Sequence, residues 1–185
     1  MVVAVKREDR IVVGVTGCDS LVDMTVKDLS LEENVPFWKV TGTKDCYVFA
    51  DILSFEADLL RYNPSIFKEI TDGKSVFETA LPKMKALLGK YNRISEKGEW
   101  SNKLLIVKGD KMFSVDAYFT VSEEDGFVGL DYEQYLLGAL EESRDLSQEE
   151  SVLFAVRNLK KMINRELFPL VLFDSKTKKK KVLYQ

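Results

Sequence analysis

Apolar and polar positions alternate between two periods along this chain. It opens on two β-branched runs, Val2 to Lys6 and Ile11 to Thr16, joined by the charged stretch Arg7-Glu8-Asp9-Arg10. That pattern predicts a hairpin at the extreme terminus. A terminus of this kind is expected to be held by strand pairing, with no leader ahead of it, and so to be either buried or available for chemistry. Asp23 to Lys27 and Phe37 to Val40 read as short strands around the turn Glu32-Glu33-Asn34-Val35-Pro36, and Cys46 to Ala50 reads as a buried strand. From Ile52 the period changes to helical through Phe55, Leu59, Leu60, Ile66, Phe67 and Ile70, with Pro64 an expected interruption. Ser75 and Glu78 form an S-x-x-E start for a second helix, whose stripe is Val76, Phe77, Ala80, Leu81, Met84, Leu87 and Leu88, with a kink expected at Pro82.

Extended character returns after Trp100. Leu104 to Val107 and Met112 to Thr120 flank Lys108-Gly109-Asp110-Lys111, a tight-turn signal. Phe127 to Leu130 reads as a strand entering a helix that carries Tyr132, Tyr135, Leu136, Ala139 and Leu140. The capping box Ser147-Gln148-Glu149-Glu150 opens the clearest helix, with Val152, Leu153, Ala155, Val156, Leu159, Met162 and Ile163 on one face and Lys160, Lys161 and Arg165 at its basic end. Leu170 to Phe173 and Lys181 to Tyr184 close the chain as a lysine-tipped hairpin. The order is strands, two helices, strands, two helices, strands. Helices that arrive in pairs do not alternate with strands, which disfavours a doubly wound parallel sheet. The fold class predicted is α+β, a four-layer αββα sandwich of two antiparallel sheets flanked by helix pairs.

Composition narrows the chemistry. The 185 residues, 45% apolar and 31% charged, suit a single domain spanning 1–185. A net charge of -3 offers no basic field for nucleic acid or a membrane surface. The run Lys178 to Lys181 is the local exception, read as a phosphate patch or, more simply, as a solvated strand edge. No apolar stretch approaches the ~20 residues that span a bilayer, so no membrane partner and a cytoplasmic location are expected. Cys18 and Cys46 are expected to be reduced and structural. Histidine is absent, which removes Ser-His-Asp, Cys-His and His-containing zinc machinery. Neither G-x-G-x-x-G nor G-x-x-x-x-G-K-[ST] occurs, and no cofactor or metal site is expected. Any catalysis must use carboxylates, Lys, Tyr, Thr, Ser, Cys or the α-amine.

From Val3 to about Phe173 the chain resembles the proteasome β-type and HslV-type subunits of the N-terminal nucleophile hydrolases. The segments that carry the resemblance are Val3-Ala4-Val5 with Ile11-Val12-Val13-Gly14, Lys39-Val40, Cys46 to Ala50 with Glu56 to Leu60, Gly129 with Tyr135 to Leu140, and Leu146 to Glu150. The resemblance implies subunits that pack through their paired helices into rings, and hence a homo-oligomer or an assembly with related subunits. It also implies a mechanism in which an N-terminal Thr uses its own α-amine as base, tuned by an Asp after the second strand and a Lys before the strand that enters the first helix.

The chain departs from that pattern at each of these positions. It begins Met1-Val2-Val3, and loss of Met1 exposes Val2, which has no hydroxyl. Thr16 stands near the position of the Asp, and Val35-Pro36 where the Lys falls, with Lys39 a nearby candidate across a gap. The family's Gly-Ser-Gly is here Gly129-Leu130-Asp131, and the late Asp and Ser have no clear counterparts near Asn164 to Pro169. No catalytic residue is therefore expected, and Thr16, Cys18 and Lys39 are the weak candidates. Each has a plainer reading: Thr16 as a strand-end hydroxyl, Cys18 as a structural thiol, Lys39 as a snorkelling lysine beside Trp38. Asp131 is expected to cap the following helix, and Trp100 to be an exposed contact. The function expected is a proteasome-like subunit without peptidase activity, acting in assembly or partner binding. An active hydrolase of the same fold and an unrelated α+β binding domain stand as alternatives.

Overall fold

The computed structural model describes residues 1–16, 37–51, 54–164, 167 and 169–184. Strands β1 (Val2–Arg7) and β2 (Arg10–Thr16) form the terminal hairpin, with Val2 opposite Val15 and Val5 opposite Val12. With β8 (Phe127–Gly129), β9 (Leu170–Asp174) and β10 (Lys180–Leu183) they build an antiparallel sheet in the order β10-β9-β2-β1-β8. A second antiparallel sheet, β3-β4-β5-β6-β7, contains Phe37–Lys39, Cys46–Ala50, Leu104–Lys108, Lys111–Val115 and Val121–Glu124. The strand predicted over Asp23 to Lys27 lies outside the described residues.

Period-two alternation sorts the terminal hairpin between two cores. Val2, Ala4, Ile11, Val13 and Val15 face the second sheet, whose Phe37, Tyr47 and Phe49 cluster with Phe173 of β9, the Phe37 and Phe49 rings stacking at 4.7 Å. Val3, Val5 and Val12 face the other way, onto α4 (Glu133–Glu142) and α5 (Gln148–Ile163). A third core lies beyond the second sheet, under α1 (Phe55–Arg61) and α3 (Leu81–Lys90). The four-layer αββα architecture is thus present.

Two glycines set how closely the α4 and α5 layer approaches. A Cβ on Gly14 would lie 2.5 Å from a methyl of Val152 on α5, and one on Gly129 would lie 2.9 Å from Leu136 on α4. Overpacking of this kind costs about 1–3 kcal/mol, so both positions require the smallest residue. Helix α5 starts at the box read from sequence: the Ser147 hydroxyl accepts from the Glu150 amide at 3.3 Å, and Glu150 accepts from the Ser147 amide at 3.0 Å.

The other helix layer departs from the sequence reading. Its capping box is formed by Asp72 and Ser75, ahead of the short α2 (Gly73–Ser75), and not by Ser75 and Glu78. Pro82 does not bend a regular helix. A wide π turn over Val76–Ala80 precedes it, so that its ring, which would strike the carbonyl four residues back in a tight turn, is accommodated in the first turn of α3. Pro64 opens a separate 3-10 turn, Pro64–Ile66, as an imino acid at a helix start permits. Met112 to Thr120 is not one strand; β6 stops at Val115 because the Asp116 carboxylate accepts from the Tyr118 and Thr120 amides and turns the chain. Trp100 is 2% exposed and stacked on Phe119, a core residue and not a contact surface.

Candidate functional site

Three elements converge on the head of β1. The Thr16 amide, at the end of β2, donates to the Met1 carbonyl at 3.2 Å, and the Leu130 amide, just past β8, donates to the Val2 carbonyl at 3.0 Å. The Met1 α-amine donates to the Asp51 carbonyl at 2.8 Å, at the end of β4. Met1 itself is buried. Hairpin register places Thr16 and Met1 side by side, and the β1–β8 pairing of Val3 with Gly129 brings Gly129-Leu130-Asp131 to the same end.

Asp51 is the chemically loaded residue at this end. Burial pushes its carboxyl above the ordinary carboxylate range; the Lys103 amide, 3.3 Å from Oδ1, and the α-amine pull it down, while the Asp131 carboxylate pushes it up. Sequence reasoning did not single it out. The available signal was its place directly after the apolar run Cys46 to Ala50, where a charged residue ends a fully buried strand at the rim of the sheets. Asp131 does not cap α4 in the expected way. Tyr132 occupies the cap position in a left-handed conformation, and the Asp131 carboxylate accepts from the Tyr132 amide at 3.1 Å.

The candidates from sequence separate. Thr16 reaches the site, 3% exposed and paired with Leu170 in β9, and its own nitrogen is a peptide amide and no base. Lys39 does not reach it. It is exposed and sits opposite Tyr47, four residues back along β4 from Asp51, roughly 13 Å at strand rise. Cys18 lies outside the described residues. Cys46 is buried, and burial pushes its thiol up to about 11, which makes it an inert core residue.

Beside the site a cavity of about 220 Å³ opens between the sheets, lined by Lys103, Ser114, Glu124, Gly129, Leu130 and Glu133 among others. In it the Ser114 hydroxyl donates to Glu124 at 2.5 Å, tying β6 to β7. The arrangement at the head of β1 thus holds an α-amine and two carboxylates, but Met1, Val2 and Val3 bring no hydroxyl or thiol to them. Among the described residues no group of three or more His, Cys, Asp or Glu is disposed to hold a metal, and no helix is long and apolar enough to cross a membrane.

No family model and no curated protein matches the sequence. Solved structures do match in shape. BPH of Thiobacillus denitrificans in complex with epoxomicin superposes with a TM-score of 0.72 at 16% identity, over 94% of this chain and 96% of that one. A second structure of Thiobacillus denitrificans BPH gives 0.71 at 18% identity over the same shares. HslV from Trypanosoma brucei gives 0.59 at 13% identity, over 94% of this chain and 97% of that one. The two five-stranded antiparallel sheets and their flanking helices therefore form the HslV and proteasome type of fold.

Proposed function

We propose that this chain is a proteasome-like subunit without peptidase activity, a single domain that acts in the cytoplasm through assembly or partner binding. The observation that carries the reading is at the head of β1: the buried Met1 gives its α-amine to the Asp51 carbonyl, and no nucleophilic side chain follows it. A nucleophile in this fold needs a free amine within proton-transfer reach of its own hydroxyl. The Thr16 hydroxyl belongs to a residue inside the chain, and no histidine supplies another base. The shape likeness to HslV, together with the ring packing that the sequence resemblance implies, supports the assembly half of the reading.

A second reading, an active hydrolase of the same fold, is favoured by one observation. A buried carboxyl held away from its ordinary protonation beside an amine is what catalytic sites contain. Turnover of fluorogenic peptides, measured on a preparation whose first residue is established by intact mass, separates the two. Background turnover with Met1 or Val2 first supports the non-hydrolytic reading. Turnover abolished by Thr16→Val supports the hydrolase.

A further inference from the structure

We infer that copies of this chain associate head to tail through two oppositely charged sides of the sandwich, the acidic β7–β8 side of one copy against the basic β10–β3 side of the next. The inference rests on the assembly reading above and assigns its surface.

The four edge strands are β10 and β8 in one sheet and β3 and β7 in the other. Contacts between the sheets show which edges lie together. Lys178 pairs with Asp45 in the β3–β4 turn at 3.2 Å, and the Lys180 ammonium lies 4.6 Å from the centre of the Phe37 ring on β3, so β10 lies over β3. The cavity lined by Ser122 and Glu124 of β7 and by Phe127 and Gly129 of β8 joins the other two edges on the opposite side.

These two sides carry opposite charge. On the first, Lys39, Lys179, Lys180 and Lys181 are exposed and enter no ion pair among the described residues. On the second, β7 ends in Glu123-Glu124 with Asp125 next, and Asp131 and Glu133 follow β8. Of the cations there, Lys6 is matched by Asp125 at 2.9 Å and Arg144 by Glu141 at 2.7 Å, Lys111 reaches Glu123 only at 3.9 Å, and Lys103 on the cavity wall enters no ion pair among the described residues, so three lysines face the five carboxylates Glu123, Glu124, Asp125, Asp131 and Glu133. Among the described residues Glu124, Asp131 and Glu133 enter no ion pair, so carboxylates remain in surplus on this side as lysines do on the other.

Charged edge strands normally protect a sheet from pairing with another. Here the protection is selective. Lysine edge against lysine edge repels, and glutamate edge against glutamate edge repels, which disfavours a two-fold symmetric dimer through either side. Lysine edge against glutamate edge attracts. A contact between different surfaces of identical copies repeats, and it makes a ring where the rotation closes.

Charge reversal with cross-mixing tests this. The variants are K179E/K180E/K181E, acidic on both sides, and E123K/D125K/E133K, basic on both sides. Each is checked for native melting behaviour, and mass in solution is measured by light scattering at low salt. The native chain is expected to assemble, and each variant alone to fall to the 21.1 kDa monomer. Mixed in equal amounts, the two variants are expected to assemble again in alternation. Raising salt to about 0.5 M, where screening shortens the reach of charge to a few ångströms, is expected to dissociate the native assembly. Assembly of either variant alone at the native mass overturns the inference, as does a mixture that stays monomeric. A native chain that is itself monomeric overturns the assembly reading as well. If a reversed chain does not fold, the Lys→Gln and Glu/Asp→Gln/Asn versions at the same positions are used; each is expected to weaken assembly at least tenfold, and unchanged assembly overturns the proposal.

Discussion

The two ends of the β1–β2 hairpin each hold a sheltered aspartate and treat it in opposite ways. At the turn end, burial alone would push Asp174 up, but Arg10 donates to it at 2.9 and 3.1 Å and the Lys176 and Thr177 amides add bonds at 2.8 and 3.1 Å, so its carboxyl is held below the ordinary range. Glu149 and the Lys176–Asp9 pair surround it, and the Gln148 amide ties Val5 and Arg10 to α5. At the open end, burial holds Asp51 above the ordinary range against one long bond from Lys103 and the α-amine's charge, with the Asp131 carboxylate pushing the same way as burial. The first end is a latch. The second has the electrostatic character of a working site, and the non-hydrolytic reading proposed for it rests on Met1, Val2 and Val3 carrying no hydroxyl or thiol.

The largest effect is expected at the latch. Arg10→Met should cost about 2 kcal/mol at pH 7, since it removes charged hydrogen bonds from a largely buried carboxylate. Asp174's lowered value contributes stability above its unfolded value of 3.8 that is lost as pH falls through its folded value. The gap between native and variant, followed by urea unfolding, should therefore narrow below pH 3.8; a gap independent of pH would remove Asp174 from the latch. Ser147→Ala, at the start of the helix that supplies Gln148 and Glu149, should cost about 1 kcal/mol. A smaller loss than ~0.3 kcal/mol would mean the box does not hold α5.

The open end should respond with the opposite sign. Asp51's raised value means that the fold holds the proton more tightly than the unfolded chain, so native stability should decline as pH rises from 3.8 through the folded value. Asp51→Asn keeps an acceptor for the Lys103 amide and should abolish that decline, leaving neutral-pH stability equal to or above native. A variant less stable than native at pH 7 would show that the carboxylate, not its protonated form, supports this end. Lys39→Met should change stability by less than about 0.5 kcal/mol, because the lysine is exposed and remote from the site; a larger loss would return Lys39 to consideration.

The contrast between the ends also marks what was legible in sequence. Local signals were reliable where one element carries its own instructions: the alternating hairpin, the Gly109-Asp110 turn and the Ser147 box all formed where the residues dictate. The sandwich followed from the order of paired helices and strands. Signals failed where two distant pieces of chain negotiate. Asp72, not Ser75, became a cap, Pro82 was absorbed by a π turn, and Trp100 was drawn into a core that only the folded second sheet provides. Asp51 was illegible for the same reason, since its significance comes from Met1, Lys103 and Asp131, which share no sequence neighbourhood with it. Thr16 stands beside Met1 because the hairpin register, which is local, puts it there.

The central claim, that the head of β1 has no nucleophile of the N-terminal kind, is tested most directly by reaction with epoxomicin, the compound bound to the structurally similar BPH. The native chain is incubated with excess compound and its intact mass recorded. The account predicts a mass unchanged from the untreated chain. A stoichiometric adduct mapped to the first residue, or to Thr16 and absent in Thr16→Val, would contradict it.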